Sequence, residues 1–579
     1  MHDVLILGRG SAGCVLAARL SEMPGLSVLL VEAGKDLTVA TAPADVLSNY
    51  PGKAYFNPEF TWPGLNAVLG AAAGNADSGR VTARYEQARI LGGGSSINGL
   101  CANRGAPADY DEWQALGAAG WSWETVLPYF RKLERDLDFS GEYHGNDGPV
   151  AIRRFPEQDW SPFVRSVAAA VQARGYPMLA DQNGRWEDGI MRVAVSVDEA
   201  GQRVSCALAY LTEAVRARPN LRVITEAHVR RIVFDGRVAV GAEIQVAGKT
   251  ELVHARQTIL SCGTIHSPAL LMRSGVGPVA ALRALEIPVV AARAGVGQNL
   301  VEHPVVSISC YLGRSGRLAN LQRHHTQAHF RFSSGVADCP PGDMILAVIA
   351  RSGWHALGQR VGSLYFWVNK AYSTGQVGLR SADPAAEPLV DFRMLSDWRD
   401  QERLRSAFRL MAEIAADPAL DGVRSTIFPT NYSDRVRKVS RPGLRNSLQM
   451  LLLGMILDAS TPALRSWLVN TLITGGSRID VLLRDDAALD EFLKKVVTGV
   501  WHPVGSCRMG PADDPMAVVG PSGRAYGVEG LRVVDASVMP SIPCGNTNIP
   551  TIMLAERMAD LIKAEFTKDA APTADALSA

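Results

Sequence analysis

A glycine-rich hexapeptide near the start of the chain constrains the fold more than any other feature. Residues 8–13 read Gly-Arg-Gly-Ser-Ala-Gly, directly after the apolar run 3–7 and at the start of a helix-like stretch that extends to Leu20. In this setting Gly8 permits a tight turn, Gly10 lets the backbone approach a diphosphate, and Gly13 lets the helix pack closely on the strand. The sequence therefore predicts a strand–turn–helix unit whose helix N-terminus binds the phosphates of a dinucleotide.

The residue after the next apolar run narrows the choice of dinucleotide. Residues 26–31 form that run, and Glu32 follows it. A carboxylate at this position accepts hydrogen bonds from ribose hydroxyls and repels a 2′-phosphate, which disfavours NADP. The later glycine pairs at 275–277 and 295–297 lack the full motif, so we expect no second nucleotide site. The motif itself leaves NAD and FAD open.

Length, charge and cysteine usage limit the class of protein. The chain has 579 residues, too many for one hydrophobic core, so two or more domains are expected. The 59 basic and 58 acidic residues nearly cancel, which indicates no nucleic-acid-binding surface. The eight cysteines form no Cys-x-x-Cys pair, which argues against a zinc or dithiol motif. Because the first strand begins at Asp3 with no apolar leader before it, we expect a cytoplasmic protein.

The most apolar run of the chain, 448–457, is interrupted by Gly454. A membrane-spanning helix needs about 20 apolar residues, so we expect no transmembrane segment. The run predicts a buried helix, with an interfacial or oligomer-facing helix as the alternative. The surrounding stretch 437–478 has no assigned role, and the oligomeric state stays open.

Four short blocks follow one another along the chain. They are residues 88–98 (ARILGGGSSIN), 263–277 (GTIHSPALLMRSGVG), 297–304 (GQNLVEHP), and a C-terminal set at 502–506, 534–537 and 545–548. Together they resemble the signatures of the glucose–methanol–choline (GMC) oxidoreductases, and the resemblance extends from Asp3 to about Lys563. It implies bound FAD and oxidation of an alcohol to an aldehyde.

The resemblance also suggests a substrate class and an electron acceptor. Residues 109–117, 366–370 and 499–502 resemble members that oxidise 5-hydroxymethylfurfural, which implies primary, often aromatic or furanic, alcohols and hydrated aldehydes. The Pro-Val-Gly-Ser-Cys after His502 is closer to choline dehydrogenase-like members. The implied partners are a small-molecule alcohol and O2. A dehydrogenase that uses a quinone or another acceptor is the alternative, and a non-redox lyase or photodecarboxylase is a further one.

The resemblance implies an α/β fold with two interleaved domains. We expect a Rossmann-like FAD-binding domain from residues 1–150, 200–304 and 496–566. We expect a substrate-binding domain, built on an antiparallel sheet flanked by helices, from residues 151–199 and 305–495. The remaining residues, 567–579, are expected to form a frayed tail. Within the first domain, the sequence predicts one helix over 113–133.

His502 and Asn546 are the candidate catalytic residues. Alcohol oxidation removes the hydroxyl proton as hydride leaves the carbon, and a positioned base accelerates this by about 10²–10⁴. Histidine suits that task because its ordinary pKa lies near neutrality, although on the residues alone a structural role for His502 is also open. The resemblance implies that His502 is the base. It also implies that Asn546 holds the alcohol, since an amide both donates and accepts hydrogen bonds.

The glycine motif and the resemblance together assign a larger set of residues to the cofactor. They are Gly8, Gly10, Ser11, Ala12, Gly13, Glu32, Ala33, Leu91, Gly92, Gly93, Ser96, Asn98, Gly99, Val229, Asp535, Ala536, Asn546 and Thr547. Some relatives tether FAD through a histidine at the position of Ile97. Isoleucine has no nucleophile, so we expect FAD to be bound non-covalently.

The candidate substrate residues share an aromatic neighbourhood: Trp367, Val368, Asn369 and Trp501. Aromatic walls favour flat, unsaturated ligands by stacking and burial. Ordinary core packing is the alternative for all four residues.

Three histidines suggest a metal hypothesis that we reject. His325 and His329 would lie one turn apart on a helix, and His324 precedes them. No acidic or cysteine ligand is adjacent in the sequence. We therefore expect a solvated loop at 324–329 and no metal site in the chain.

Overall fold

A computed structural model describes residues 1–48, 50–70, 82–430 and 434–570. Its first sheet has seven strands, in the order Leu221–Ile224, Val28–Val31, His2–Leu7, Lys249–Leu260, Val238–Val246 and Ala227–Asp235, with Leu531–Val533 paired to the C-terminal half of Lys249–Leu260. The first four strands and Leu531–Val533 are parallel, and the other two are antiparallel.

The N-terminal unit confirms the strand–turn–helix prediction. The strands His2–Leu7 and Val28–Val31 are buried along almost their whole length, as expected for parallel strands covered on both faces. The helix Ser11–Leu20 joins them and packs against the long helix Asn548–Ala570. The glycine turn therefore lies at the carboxyl end of the first strand, where open α/β sheets bind ligands.

The second sheet confirms the predicted antiparallel architecture. Its eight strands run in the order Arg424–Thr430, Pro304–Leu312, Val361–Val368, Met344–Ile349, Thr326–Phe332, Gly189–Arg192 and Met178–Leu179, with Thr498–Gly499 paired to Pro304–Leu312. Every pair is antiparallel except Met178–Leu179 with Gly189–Arg192. The helices Trp398–Ala416 and Pro162–Gln172 pack against this sheet.

Smaller elements complete the described chain. Three further sheets contain Gln376–Gly378, Leu389–Met394, Asn66–Gly70 and Thr82–Arg84; Glu134–Asp136, Val150–Arg154 and Ala194–Val195; and Val276–Gly277 with Ala291–Ala292. The other α-helices are Ala44–Leu47, Gly52–Tyr55, Pro107–Ala115, Trp123–Leu133, Cys206–Tyr210, Glu213–Arg216, Gly263–Arg273, Val279–Ala284, Asp434–Ser440, Leu444–Ala459, Pro462–Leu472, Ile479–Leu482 and Asp486–Val496. Short 3₁₀ helices span Pro58–Phe60, Gly93–Ser96, Glu157–Asp159, Arg314–Gly316, Gly358–Arg360, Pro418–Leu420 and Ala536–Val538.

Short strands cross between the two parts of the chain that were predicted to be separate domains. Thr498–Gly499 pairs with the second sheet, although residues 496–566 were assigned to the FAD-binding domain. Asn66–Gly70 likewise pairs with Leu389–Met394. The domain bounds therefore stay a prediction, with two short segments that bridge them.

Two helix predictions need correction. The single helix expected over 113–133 is two helices, Pro107–Ala115 and Trp123–Leu133, because Gly117 and Gly120 between them adopt φ of +93° and +81°, which right-handed helices exclude. At the C-terminus, the helix Asn548–Ala570 extends into the predicted frayed tail. Residues 571–579 lie outside the described residues.

The prediction of a buried helix at 448–457 is wrong. The helix Leu444–Ala459 turns Met450, Gly454 and Leu457 toward the protein and leaves the opposite side exposed. The exposed apolar side chains on that side are Leu444, Leu448, Leu451, Leu452, Met455 and Ile456. The helix is apolar on both sides, so its composition gave no sign of which side meets the core. Across the described ranges, no helix is both long and apolar enough to span a membrane.

Candidate active site

A cavity of about 580 Å³ is lined by residues of both large sheets. The glycine turn of residues 8–12 lies along it, and so do His502 and Asn546 from the C-terminal region. Its volume falls in the range of cofactor and ligand sites. The fold therefore brings the two ends of the chain to one cavity.

The glycine turn is shaped by close packing rather than by side chains. Gly8 has a φ of +93°, and a Cβ on Gly13 would lie 2.1 Å from the Gly8 carbonyl oxygen. A Cβ on Gly93 would lie 2.6 Å from the Gly10 Cα. No larger residue fits at these positions, so the two glycine loops meet through their backbones.

Glu32 is buried at the edge of the turn. Its carboxylate accepts hydrogen bonds from the backbone N–H of Arg9 at 2.9 Å and of Gly34 at 2.7 Å. These contacts fix the carboxylate at the carboxyl end of the second strand, beside the cavity. It retains lone pairs for a further donor.

Most of the predicted cofactor residues line the cavity: Gly8, Gly10, Ser11, Ala12, Glu32, Ala33, Gly93, Asn98, Gly99, Val229, Asp535, Ala536, Asn546 and Thr547. Four do not: Gly13, Leu91, Gly92 and Ser96. They contribute to the packing of the two glycine loops behind the cavity surface. The Ser96 hydroxyl donates to the Leu91 carbonyl at 2.7 Å, and the Gly92 N–H donates to the Arg9 carbonyl at 2.9 Å.

Asp535 links two loops on the opposite wall of the cavity. Its carboxylate accepts from the Gly263 N–H at 2.9 Å, from the Ser267 hydroxyl at 2.6 Å and from the Ser537 N–H at 2.8 Å. Burial raises the pKa of this carboxyl, against the hydrogen bonds that lower it. Asp535 thus ties two loops together at the cavity surface.

His502 and Asn546 form a direct pair. The Nδ2 atom of Asn546 lies 3.0 Å from Nε2 of His502, and the Oδ1 atom of Asn546 is buried without a hydrogen-bond partner among the described residues. Burial lowers the pKa of His502 to about 3. The imidazole is therefore neutral at ordinary pH.

His303 determines which nitrogen of His502 is basic. Its Nε2 lies 3.2 Å from the Pro543 carbonyl, which can only accept, so this nitrogen carries the proton. Burial holds the pKa of His303 well below its usual value, so Nδ1 of the neutral ring has a lone pair. That atom lies 3.0 Å from Nδ1 of His502. His502 therefore donates through Nδ1 and keeps its lone pair on Nε2, toward Asn546.

Glu302 anchors the backbone around both histidines. Its carboxylate accepts from the His502 N–H at 2.8 Å, from the His303 N–H at 2.8 Å and from the Tyr85 hydroxyl. Burial raises the pKa of Glu302 to about 7, against these hydrogen bonds. A Cβ on Gly499 would lie 2.7 Å from the Glu302 Cγ, so this neighbour must be glycine.

Trp501 holds the loop in an uncommon conformation just before His502. Its φ is +63°, in the left-handed region that bulky residues rarely adopt. The indole packs edge-on against Tyr55, with ring centres 5.0 Å apart, and stacks on Tyr85 with ring centres 6.4 Å apart. Strain of this kind persists only where the surrounding packing imposes it.

The second sheet supplies the facing wall. Ser363, Tyr365 and Trp367 alternate along one strand and line the cavity. Val368 points to the other side because side chains alternate along a strand, and Asn369 donates to the carbonyls of Gly342 and Cys544 away from the cavity. The structure thus places Trp367 and Trp501, but neither Val368 nor Asn369, on the lining.

The three histidines near residue 325 are not in a solvated loop, which corrects that expectation. The strand Thr326–Phe332 is buried throughout, and His325 and His329 line the cavity. Nδ1 of His329 lies 2.7 Å from Nε2 of Gln182, and burial lowers the pKa of His329 to about 3 and that of His324 to about 4. His325 and His329 are also not one helical turn apart, because the backbone is extended.

Comparison with known proteins shows which family the chain belongs to. The family model described as GMC oxidoreductase matches residues 2–305 with its N-terminal part and residues 371–555 with its C-terminal part. The chain belongs to the GMC oxidoreductase family. It is an FAD-dependent oxidoreductase that acts on alcohols.

Two curated relatives and one solved structure cover almost the whole chain. The chain is 41% identical to the 5-(hydroxymethyl)furfural oxidase of Methylovorus sp. (strain MP688), over 97% of this chain and 98% of the relative. It is 32% identical to an oxygen-dependent choline dehydrogenase of Vibrio vulnificus (strain YJ016), over 97% and 94%. The crystal structure of pyridoxine 4-oxidase from Mesorbium loti is similar with a TM-score of 0.80 and 26% identity, over 97% and 99%.

The cavity residues fit FAD. Backbone of the two glycine loops faces the cavity at Gly10 and Gly93, where a diphosphate needs close approach. Glu32 lies where a ribose hydroxyl would be bound. At the far side, Asn546 Oδ1, which has no partner among the described residues, and His502 Nε2, which accepts from Asn546 Nδ2, present polar atoms beside a largely apolar wall.

Sequence reasoning missed five residues of the site: Tyr85, Glu302, His303, Tyr365 and Arg351. Glu302 and His303 lie in the block 297–304 that carried the resemblance, but the pattern gave no role for them. Period-two alternation along 363–367 is the signal that could have found Tyr365. Tertiary contacts alone bring Arg351 and Tyr85 to the site, so no local sequence pattern predicts them.

Proposed function

We propose that the protein oxidises a primary aromatic or furanic alcohol to the aldehyde, and on to the acid through the hydrate, with O2 as acceptor and non-covalently bound FAD. The 41% identity to a 5-(hydroxymethyl)furfural oxidase supports the substrate class. Ile97 lines the cavity and has no nucleophile, which supports the non-covalent cofactor. When bound, FAD would supply the hydride acceptor for the carbinol carbon.

The observation that carries the proposal is the pair formed by His502 and Asn546. In this mechanism the substrate hydroxyl donates to Nε2 of His502, whose lone pair is preserved by His303. In the structure Asn546 Nδ2 donates to that nitrogen at 3.0 Å. When substrate binds, the amide would turn its donor to the hydroxyl oxygen and leave the Nε2 lone pair to accept the hydroxyl proton. Proton removal gives the carbinol alkoxide character, which makes it a better hydride donor, and contributes about 10²–10⁴ in rate.

The remaining assignments follow from position along the cavity. Gly10, Ser11 and Gly93 would hold the diphosphate, and Glu32 a ribose. Trp367 and Trp501 would flank the substrate ring, because aromatic walls favour flat ligands. Placed this way, substrate and cofactor would meet beside His502.

His502→Ala tests the proposal. We expect the purified variant to remain yellow with bound FAD, since His502 contributes no cofactor contact in this scheme. Anaerobic flavin reduction by an aromatic alcohol, followed in a stopped-flow spectrophotometer, should slow by about 10²–10⁴. His254→Ala is the matched control, because the side chain of His254 is exposed and does not line the cavity. Reduction rates equal to wild type in His502→Ala would refute the base.

A second readout separates the electron acceptors. In air, the wild-type enzyme should release one hydrogen peroxide for each aldehyde formed. If the flavin stays reduced in air but is reoxidised by a quinone, the electron acceptor is not O2. The assignment of His502 as the base would still hold. If no alcohol reduces the flavin, the proposal that the enzyme oxidises such alcohols is wrong.

A further inference from the structure

Arg351 is a buried cation with no counter-ion among the described residues. It follows the strand Met344–Ile349, lines the cavity and is only 4% exposed. Nη2 donates to the Leu321 carbonyl at 2.9 Å, and the guanidinium lies over the Tyr50 ring at 4.9 Å. Nε is buried with no partner among the described residues. A buried charge in this state is costly unless something pairs with it.

Three other buried arginines have carboxylate or carbonyl partners within the protein. Nη1 of Arg154 lies 2.6 Å from Asp136, and Nη2 of Arg403 lies 2.6 Å from Asp400. Arg203 has no carboxylate either, but its guanidinium donates to three backbone carbonyls and to the Asn98 side chain. Arg351 alone of these four faces the cavity with donors to spare. Arg9 and Arg273 also line the cavity with unpartnered nitrogens, but an acid acts on each, Glu32 on Arg9 and Glu387 on Arg273.

Among the described residues, the groups around Arg351 are positive or neutral. His325, which packs edge-on against Tyr50 with ring centres 5.3 Å apart, has a buried Nδ1 without a partner among the described residues. The hydroxyl of Ser352 donates to the Val361 carbonyl, so its oxygen can still accept but it offers no charge. In the described chain, the groups that act electrostatically on His325 are His324, Arg351 and Arg203, with no acid among them.

Strand register places Arg351 at the end of the cavity away from the reacting atoms. Trp367 pairs with Ile345, and Ser363 pairs with Ile349, two residues before Arg351. Four residues of strand separate these two pairs, which is about 13 Å. Val305 pairs with Trp367 on one side and with Thr498 on the other, which brings Trp367 to the segment that leads into His502. A substrate with its alcohol at His502 would therefore extend along the Tyr365 wall toward Arg351.

We propose that Arg351 binds a carboxylate at the far end of the substrate, so that the preferred alcohols are hydroxymethyl compounds with an anionic group opposite the reacting carbon. This inference rests on the proposed function for the position of the alcohol. Guanidinium binds carboxylate through paired, charge-assisted hydrogen bonds. A cationic group at the same end, as in choline, would meet the positive charge of Arg351 instead.

A pair of substrates of equal shape tests the selectivity of the holoenzyme. We expect kcat/KM for para-(hydroxymethyl)benzoate to exceed that for the neutral isostere para-(hydroxymethyl)benzamide. Arg351→Met should lower kcat/KM for the benzoate by about 10- to 100-fold, mostly through KM, and lower it far less for the neutral alcohol. Arg351→Lys keeps the positive charge but lacks the paired N–H donors of a guanidinium, so it should recover part of the loss. Equal losses for both alcohols would overturn the carboxylate site.

Binding without turnover distinguishes failure of this site from failure of the proposed function. Para-methylbenzoate and the isosteric para-methylbenzamide, titrated against the FAD absorption of wild type, should differ at least tenfold in affinity in favour of the acid. Equal affinities in wild type would overturn the proposal without any variant. If the acid binds more tightly while no alcohol reduces the flavin, the anion site stands and the proposed oxidation fails.

Discussion

Three neighbours fix the state of His502, the proposed base: Pro543 and His303 set its tautomer, and Glu302 holds its backbone. The Pro543 carbonyl fixes the tautomer of His303, and His303 in turn fixes that of His502. The Glu302 carboxylate holds the backbone N–H groups of both histidines at 2.8 Å. Sequence alone predicted His502 and Asn546, because both lie in motif blocks. It could not predict the tautomer relay, because His303 reaches His502 across 199 residues of chain.

Removal of His303 should slow the chemical step without preventing folding of the site. In His303→Leu, Nδ1 of His502 loses its acceptor and the lone pair is no longer confined to Nε2. We expect the rate of flavin reduction to fall by about 10- to 100-fold, with little change in KM. His303→Gln offers an amide that can accept from His502 and donate to Pro543, so it should recover most of the rate and the wild-type pH profile. Equal losses in both variants would make His303 a packing residue only.

The elements show where local patterns suffice and where they fail. The first strand, the glycine turn and the helix Ser11–Leu20 were predictable because the whole motif is contiguous. The strand Thr326–Phe332 was not, because its sequence TQAHFRF is polar in four of seven positions yet buried throughout. The orientation of Leu444–Ala459 was also hidden, since the helix is apolar on both sides. Such features depend on partners far away in sequence.

Matched truncations on the helix Leu444–Ala459 test its orientation. Leu457 is 1% exposed and packs with Tyr311 and Phe428, whereas Leu452 is 57% exposed. We expect Leu457→Ala to lower the free energy of unfolding by about 2–4 kcal/mol through the cavity it leaves. Leu452→Ala, with the same helix propensity change, should stay within about 0.5 kcal/mol of wild type. Urea denaturation measures both, and equal losses would contradict the orientation.

For the whole molecule, the catalytic loop is tied to the rest of the fold by a buried acid. Glu302 lies just before the strand Pro304–Leu312 and accepts from Tyr85, from its neighbour His303 and from the loop of Val500 and His502. It thereby connects the start of the second sheet to the N-terminal and C-terminal segments of the chain. Burial raises the pKa of its carboxyl from 4.5 to about 7, so the folded state prefers the protonated form. The charge state of one side chain is therefore linked to global stability.

The linkage predicts a pH dependence with a definite sign. Because the folded pKa of Glu302 lies above its unfolded value, the stabilisation is fully present below pH 4.5 and is lost as the pH rises to about 7. A shift of this size corresponds to about 3 kcal/mol. Glu302→Gln, which cannot ionise, should lack that loss. Melting temperatures of the two holoenzymes, compared from pH 5 to about 8 in one buffer series, should therefore diverge in favour of the variant as the pH rises. Parallel curves would mean that Glu302 is already ionised in the folded protein, held so by its four donors.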